Sequence, residues 1–468
     1  MLSSLLLLFA CGKSTEVVIV DGSSNILPDI NSTNNQTKVS SNLQDDFNKI
    51  VIGEPGNIHS LDPLFAQSSS ELRTLSLIYD GLTDLDNTGN IIPAIAKKWT
   101  VTRDSLTYTF TINEHAFFHD DNRFNGGTGR SVNSSDVANV FKRMAQLQVP
   151  ESAASLFMSI DGFKTFFLEQ TKIKAPSKRV INSIKGIATP NDSTVVFRLA
   201  ERDSNFLSNL AHPLASIYPS ESLSQNNSPI SKPIGSGPFY VAQQKPNTLI
   251  LAAFDDAITS KNLPNRVDVV FGKKEEELYQ DFAKGEVDAL IEISPATFKQ
   301  VTDSTGNLDA VFSTAFSLQS QEVTRPITLN YNVKSQNEDL YTFLTTQGSL
   351  LSAFDTRLGN ISYSSKSTSN KTLSEQTVYV SYTEDPAELY LVNTVADILS
   401  AENNTVVLSS SYAVSDNIRF STSTFSEAIP LVKWEYPIQI LSKPSVSGIN
   451  INHTFWNISF DGAKITQD

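Results

Sequence analysis

The chain has one cysteine, Cys11, in 468 residues. No disulfide can therefore form within it, and no cysteine-rich metal site is available. Five histidines are present, His59, His115, His119, His212 and His453, and none lies in an H-E-x-x-H, H-x-H or G-x-S-x-G context. Catalysis needs a nucleophile with its base, paired acids or a metal, so the chain is expected not to be an enzyme and to carry no cofactor. His119, Asp120 and Asp121 are adjacent at a strand end. Neighbouring side chains there alternate in direction and converge poorly on one ion, so a turn is expected and no metal.

Positive charge is scarce as well. Lys and Arg total 36 against 50 Asp and Glu, giving a net charge of −14. That balance argues against nucleic acid as a partner and against electrostatic docking on anionic lipid. No apolar run is long enough to span a bilayer, which takes roughly 20 residues; the run Leu5–Ala10 falls well short. Gly12-Lys13-Ser14-Thr15 is no phosphate loop, because the glycine required five positions earlier is Leu7 and no strand precedes it.

What is present fits a globular protein: 40% hydrophobic and 18% charged residues, in a chain too long for one ordinary core, so two or three lobes are expected. Leu8-Phe9-Ala10-Cys11-Gly12 resembles the bacterial lipobox. That resemblance implies a signal over residues 1–11 and a lipidated Cys11, whose several acyl chains give firm anchoring. Residues 12–45 are rich in Ser, Asn, Asp and Thr and are expected to be a disordered tether, with the folded part starting near Asp46.

The chain is organised around Ile58–Trp99. A β-branched strand, Asn48–Gly53, leads to the turn Ser60-Leu61-Asp62-Pro63, whose aspartate is held extended by the following proline. From Ser68 on, Leu72, Leu75, Ile78, Tyr79 and Leu82 recur at helical spacing behind an N-cap signal at Ser70 and Glu71. Leu82–Asp86 and Asn90–Pro93 are expected as short strands around a turn, and Ala94–Trp99 as a second helical turn. Further on, Leu106–Ile112 alternates as a strand, Ser134 or Ser135 caps a helix through Met144, and Ile184–Leu199 forms a hairpin. Ile217–Pro219 is expected as a short strand. Pro233-Ile234-Gly235-Ser236-Gly237-Pro238-Phe239 turns sharply on its glycines before an aromatic strand. Its G-x-G is no dinucleotide fingerprint, since no G-x-x-G continues and Pro238 interrupts any helix start.

The order S-L-D-P, helix, Y-D-G-L and D-x-x-G-x-I-x-P-x-I-A-x-x-W, then P-I-G-S-G-P-F and Gly285-Glu286-Val287-Asp288, resembles the extracytoplasmic solute-binding proteins of peptide and nickel ABC transporters, family 5. The likeness runs from about Ile50 to Val333 and becomes patchy beyond, where the family's arginine helix and its Trp with D-x-P have no counterpart. The resemblance implies a periplasmic-binding-protein-like α/β fold with two lobes around a cleft and an extra inserted domain. Lobe I would comprise 46–72, 180–255 and 430–468, the insert 73–179, and a shortened lobe II 256–429. It implies a monomeric lipoprotein facing the periplasm or exterior, capturing peptides or a peptide-like solute by lobe closure and delivering them to permease subunits. The alternative is an envelope lipoprotein that keeps the fold as an interaction scaffold. Carried over residue by residue, the family's cleft positions fall on Gln67, Ser68 and Ser69 and on Ile291, Glu292 and Ile293. There the polar Gln and Ser would either hydrogen-bond an extended peptide or serve as an ordinary helix cap and loop, and Glu292 would either face a ligand amine or be solvated.

Overall fold

In a computed structural model the chain is described at residues 18–20, 48–146, 149–224, 228–258, 262–332, 338–345, 353–363, 375–382, 385–409, 418–422 and 428–466. The expected first strand is Lys49–Gly53, and it lies at the centre of a mixed sheet. Arg266–Val270 pairs with it in parallel on one side and Ala289–Leu290 on the other. Thr248–Ala253 and Phe239–Lys245 extend the sheet antiparallel to its edge, and Leu441–Ser442 pairs antiparallel beyond Ala289–Leu290. Ile50 and Ile52, with Val267 and Val269 directly opposite them, line one face of this parallel pair and are all buried.

Two compact units divide the chain. The larger comprises Asn25–Arg325 and Pro437–Asp468, the smaller Met1–Ser24 and Pro326–Tyr436. The chain passes from one to the other inside two long strands, Ser317–Asn332 and Ala428–Ser442. Residues 256–325, which the family likeness assigns to lobe II, fall in the larger unit, because Arg266–Val270 and Ala289–Leu290 both pair onto Lys49–Gly53.

The larger unit holds a second, antiparallel sheet in the order Ala96–Val101, Thr107–Ile112, Thr194–Arg198, Ile187–Asn191. Helices Ser134–Met144 and Phe163–Lys172 belong to the same region. Phe110, Phe141, Phe157, Phe197 and Phe206 meet edge-on there, all fully buried. Such pairs add about 0.5–1.5 kcal/mol each beyond their buried area.

The smaller unit is a parallel arrangement of Thr377–Ser381 between Thr405–Ser409 and Ile418–Ser421. Helix Pro386–Ala401 makes the crossover, started by Pro386 and capped by Asp385. Trp434 is fully buried among Phe354, Tyr390 and Tyr436 and donates its indole N–H to the Leu358 carbonyl at 2.7 Å.

Several local expectations are corrected. Ala94–Trp99 is not helical: Ala96–Val101 is a strand, with the Ala96 N–H on the Leu82 carbonyl and Trp99 packed across the ladder on Phe110. The three-residue spacing of Ala96 and Trp99 imitated a helix, and cross-strand pairing overrode it. The helix Ser134–Met144 is capped by Asn133 rather than by a serine; the Asn133 side chain accepts from the Ser135 and Asp136 N–H groups, and Asp136 reaches back to the Asn133 N–H. Ser134 donates instead to the Asn191 carbonyl at 2.7 Å. Ile217–Pro219 joins no named strand; its first N–H goes to the Asp80 carbonyl, and Pro219 precedes the 3₁₀ turn Ser220–Ser222. Within the expected tether, Val18–Val20 is a strand, parallel to Val407–Ser409. The signal over 1–11, Cys11 and the rest of 12–45 up to residue 45 lie outside the described residues, as do Val333 and Lys334.

Candidate functional site

The turn that opens the organising segment is fixed by two buried carboxylates. Asp62 caps the 3₁₀ turn Pro63–Phe65 through the Leu64 N–H at 3.1 Å and accepts from the Ile230 N–H at 2.9 Å. Arg143, from the helix Ser134–Met144, forks onto both Asp62 oxygens, one contact at 2.8 Å, and also reaches the Tyr218 hydroxyl. Glu71 takes four backbone N–H groups: His59 and Ser60 on one oxygen, Gln67 and Ser68 on the other, at 2.7–3.0 Å. Ser68 completes a capping box by accepting the Glu71 N–H. Helix Ser69–Ile78 therefore starts where the turn ends, and nine of its ten residues are buried.

A charged helix residue so enclosed needs compensation, and Arg73 has it twice. It pairs with Glu54 at 2.6 Å and with Glu292 at 2.5 Å, and the three side chains are at most 1% exposed. The second Glu292 oxygen meets Arg325, itself 6% exposed. Two guanidinium groups and two carboxylates thus join in one buried network. Burial works against the Arg73 charge, but the fields of Glu54 and Glu292 outweigh it and hold its pKa above the ordinary value. Glu292 has φ of 51°, left-handed for a residue with a side chain; such a conformation persists only where surroundings enforce it.

This network brings the two candidate segments together. Arg73 contacts Ser69 Oγ at 3.5 Å as well as Glu292. Gln67 alone of the six candidates is exposed; Ser68, Ser69, Ile291, Glu292 and Ile293 are buried. Their backbone donors are largely committed: Gln67 and Ser68 to Glu71, Ile291 to the Gly53 carbonyl and Ile293 to the Gln439 carbonyl. Glu292 is neither solvated nor open; it is enclosed between two arginines. The sequence reading missed Glu54, Arg73 and Arg325.

His119 is also structural in its contacts. Its Nδ1 accepts from the Gly235 N–H and its Nε2 lies 2.9 Å from the Gly237 carbonyl, joining the F-H-D strand end to P-I-G-S-G-P-F. Burial depresses its pKa to about 4. Among the described residues no group of three or more His, Cys, Asp or Glu side chains is placed to hold a metal, and no described helix is long and apolar enough to cross a membrane. A separate pocket of about 370 Å³ in the larger unit is lined by Asp80, Asp84, Asp86 and Asp461 beside Trp456 and Phe460, and by none of the six candidates. Burial raises the Asp84 carboxyl there.

Comparison with known proteins decides the lineage. Residues 90–342, more than half of the chain, match the profile described as bacterial extracellular solute-binding proteins, family 5 middle. The chain belongs to this family. Among relatives of this family 5 solute-binding protein, the dipeptide-binding protein of Escherichia coli (strain K12) is 30% identical over 215 residues, 44% of this chain and 37% of the relative. The dipeptide-binding protein DppE of Bacillus subtilis (strain 168) is 27% identical over 236 residues, 49% of this chain and 40% of the relative. The matches thus span less than half the length of these relatives.

Solved structures extend the likeness in fold. The binding protein AgaA from A. tumefacien R10, in complex with agropinic acid, has TM-score 0.66 at 16% identity, covering 90% of this chain and 99% of that one. Listeria monocytogenes OppA bound to peptide has TM-score 0.65 at 11% identity, covering 90% and 100%. The fold of this family 5 protein is accordingly the expected periplasmic-binding-protein-like α/β architecture.

Proposed function

We propose that the chain is the substrate-capturing component of an ABC importer, taking up peptides or a peptide-like solute and delivering it to permease subunits. The observation that carries this reading is the family 5 match over residues 90–342 together with a dipeptide-binding relative at 30% identity. Capture proceeds by lobe closure on the solute, as a monomer and without chemical conversion of the solute. Gln67 supplies a side-chain hydrogen bond to the solute, which its exposure supports. Ser68, Ser69, Ile291, Glu292 and Ile293 fix the backbone around it. The protein works outside the cytoplasm, held to a membrane by lipid on Cys11. Cys11→Ser is expected to move it from the detergent phase to the aqueous phase on temperature-induced detergent partitioning; unchanged partitioning removes the anchor.

Thermal unfolding of ligand-free full-length Cys11→Ser protein against mixed di- to pentapeptides tests the solute class. A ligand at 100 times its dissociation constant adds about 2.7 kcal/mol to the folded state, a shift of a few degrees in a chain of this size. A shift with particular peptides supports the importer reading. No shift with any peptide ends it, leaving a different solute, for which the agropinic acid bound by AgaA is a model, or an envelope scaffold that binds none.

A further inference from the structure

The segment Ala289–Ile293 holds both strands on which the chain leaves and re-enters the larger unit. Arg325 is the last residue of that unit before the first crossing, and Glu292 Oε1 binds its guanidinium. On the return, Pro437 is the first residue. Two positions later the Gln439 carbonyl takes the Ile293 N–H at 3.0 Å, and Ala289 and Leu290 pair with Ser442 and Leu441. The two crossings share a second feature: Pro326 and Pro437 stand immediately beyond them. Proline donates no N–H to a strand ladder, so each long strand carries a residue without a backbone donor where it changes unit. Both strands are held just inside the larger unit.

The backbone of Glu292 explains why this residue makes the grip. Its left-handed φ of 51° breaks the strand alternation after Leu290, and its carboxylate bridges Arg73, on the fully packed helix Ser69–Ile78, to Arg325 on the crossing strand. Glu54 takes the Nε and Nη2 side of the same Arg73. Arg73 is thereby anchored on one side by Glu54 and presents Glu292 to the crossing on the other.

We infer that Glu292 is a hinge-positioning residue: by holding Arg325 against Arg73 it fixes where the first crossing strand begins to bend, and so limits the range of motion between the two units. This deepens the closure reading of the proposed function, but it concerns the solute-free protein and is tested without any solute. A failure of peptide binding therefore leaves it standing, and its own failure leaves peptide binding untouched.

The chain's single cysteine makes the measurement direct. In full-length protein with Cys11→Ser, spin labels at Val311→Cys in the larger unit and Glu402→Cys in the smaller, both exposed, give a distance distribution between the units. Glu292→Gln is expected to broaden that distribution. Glu54→Gln removes a buried charge from the same arginine and lowers stability, yet is expected to leave the width unchanged, which separates positioning from a merely structural role. If Glu292→Gln does not fold, Arg325→Lys, which keeps the charge and loses the planar fork, is expected to broaden the distribution in the same way. An unchanged width in the variants at Glu292 and Arg325, or equal broadening in Glu54→Gln, overturns the inference.

Discussion

Arg73 and Glu292 lie 219 positions apart and meet at 2.5 Å with side chains 0% and 1% exposed. Glu54 completes the grip on Arg73 at 2.6 Å. Removing one partner of such a set leaves the others as uncompensated buried charge, which is where the energetic penalty lies. Arg73→Met is therefore expected to cost about 3–5 kcal/mol in urea unfolding, because it strands two carboxylates. Adding Glu54→Gln to Arg73→Met is expected to cost less than Glu54→Gln alone, since the amide then replaces an unpaired charge. Strict additivity of the two would show that they do not share one network.

Asp62 and Arg143 make the second buried pair, 0% and 2% exposed. Asp62 also receives the Leu64 and Ile230 N–H groups, so one carboxylate ties the S-L-D-P turn, the helix Ser134–Met144 and the approach to P-I-G-S-G-P-F. Asp62→Ala is expected to lower unfolding stability by about 3–5 kcal/mol. Asp62→Asn, which retains an acceptor oxygen, is expected to lower it less. Equal losses would mean that the charge on Asp62 contributes nothing beyond its shape.

Gly235 sits where the P-I-G-S-G-P-F segment crosses the end of helix Ser69–Ile78. A Cβ there would lie 1.9 Å from the Ile78 carbonyl oxygen, and Gly237 donates its N–H to that same oxygen at 3.0 Å. Gly235→Ala forces one backbone away from the other and is expected to cost on the order of 3 kcal/mol. The loss should appear in urea unfolding without a change in the slope of the transition.

That glycine shows how far the sequence could be read. The motif around Gly235 was visible, but its reason was not: the requirement is close approach to a helix end rather than a left-handed turn, and no local pattern reveals which backbone will lie opposite. The helix Ser69–Ile78 and the hairpin Ile187–Arg198 were legible because caps, turn residues and apolar spacing are local signals. Ala96–Val101 was not, because its strand state depends on pairing with Thr107–Ile112. The network was invisible for the same reason at longer range. Glu292 could be placed after G-E-V-D by family likeness, but its arginines come from positions 73 and 325, and only the fold brings them together. Cleft candidates chosen by motif position also carried no burial information, which is why five of the six turn out enclosed.

Acid should act on this protein first through histidine. Burial holds His119 at about 4, against 6.5 for an unhindered imidazole, and His212 likewise at about 4. Both rings accept backbone N–H groups on Nδ1, from Gly235 and Leu214, so both are folded in the neutral form. As pH falls below 6.5 the unfolded chain takes up their protons before the folded one does, and the folded state loses stability until about pH 4, where the native rings protonate too. A depression of this size corresponds to about 3 kcal/mol for each ring at most. Buried carboxylates act in the opposite sense: burial raises Glu54, Glu71 and Asp84 above the ordinary carboxylate range, so the folded chain takes up their protons first and offsets part of the histidine loss. His119→Gln, which removes one titrating ring, is expected to make unfolding free energy fall less steeply as pH drops from 6.5 to about 4. An unchanged slope would show that His119 is accessible to protons in the folded chain and does not fasten the F-H-D strand end to Gly235 and Gly237 in neutral form.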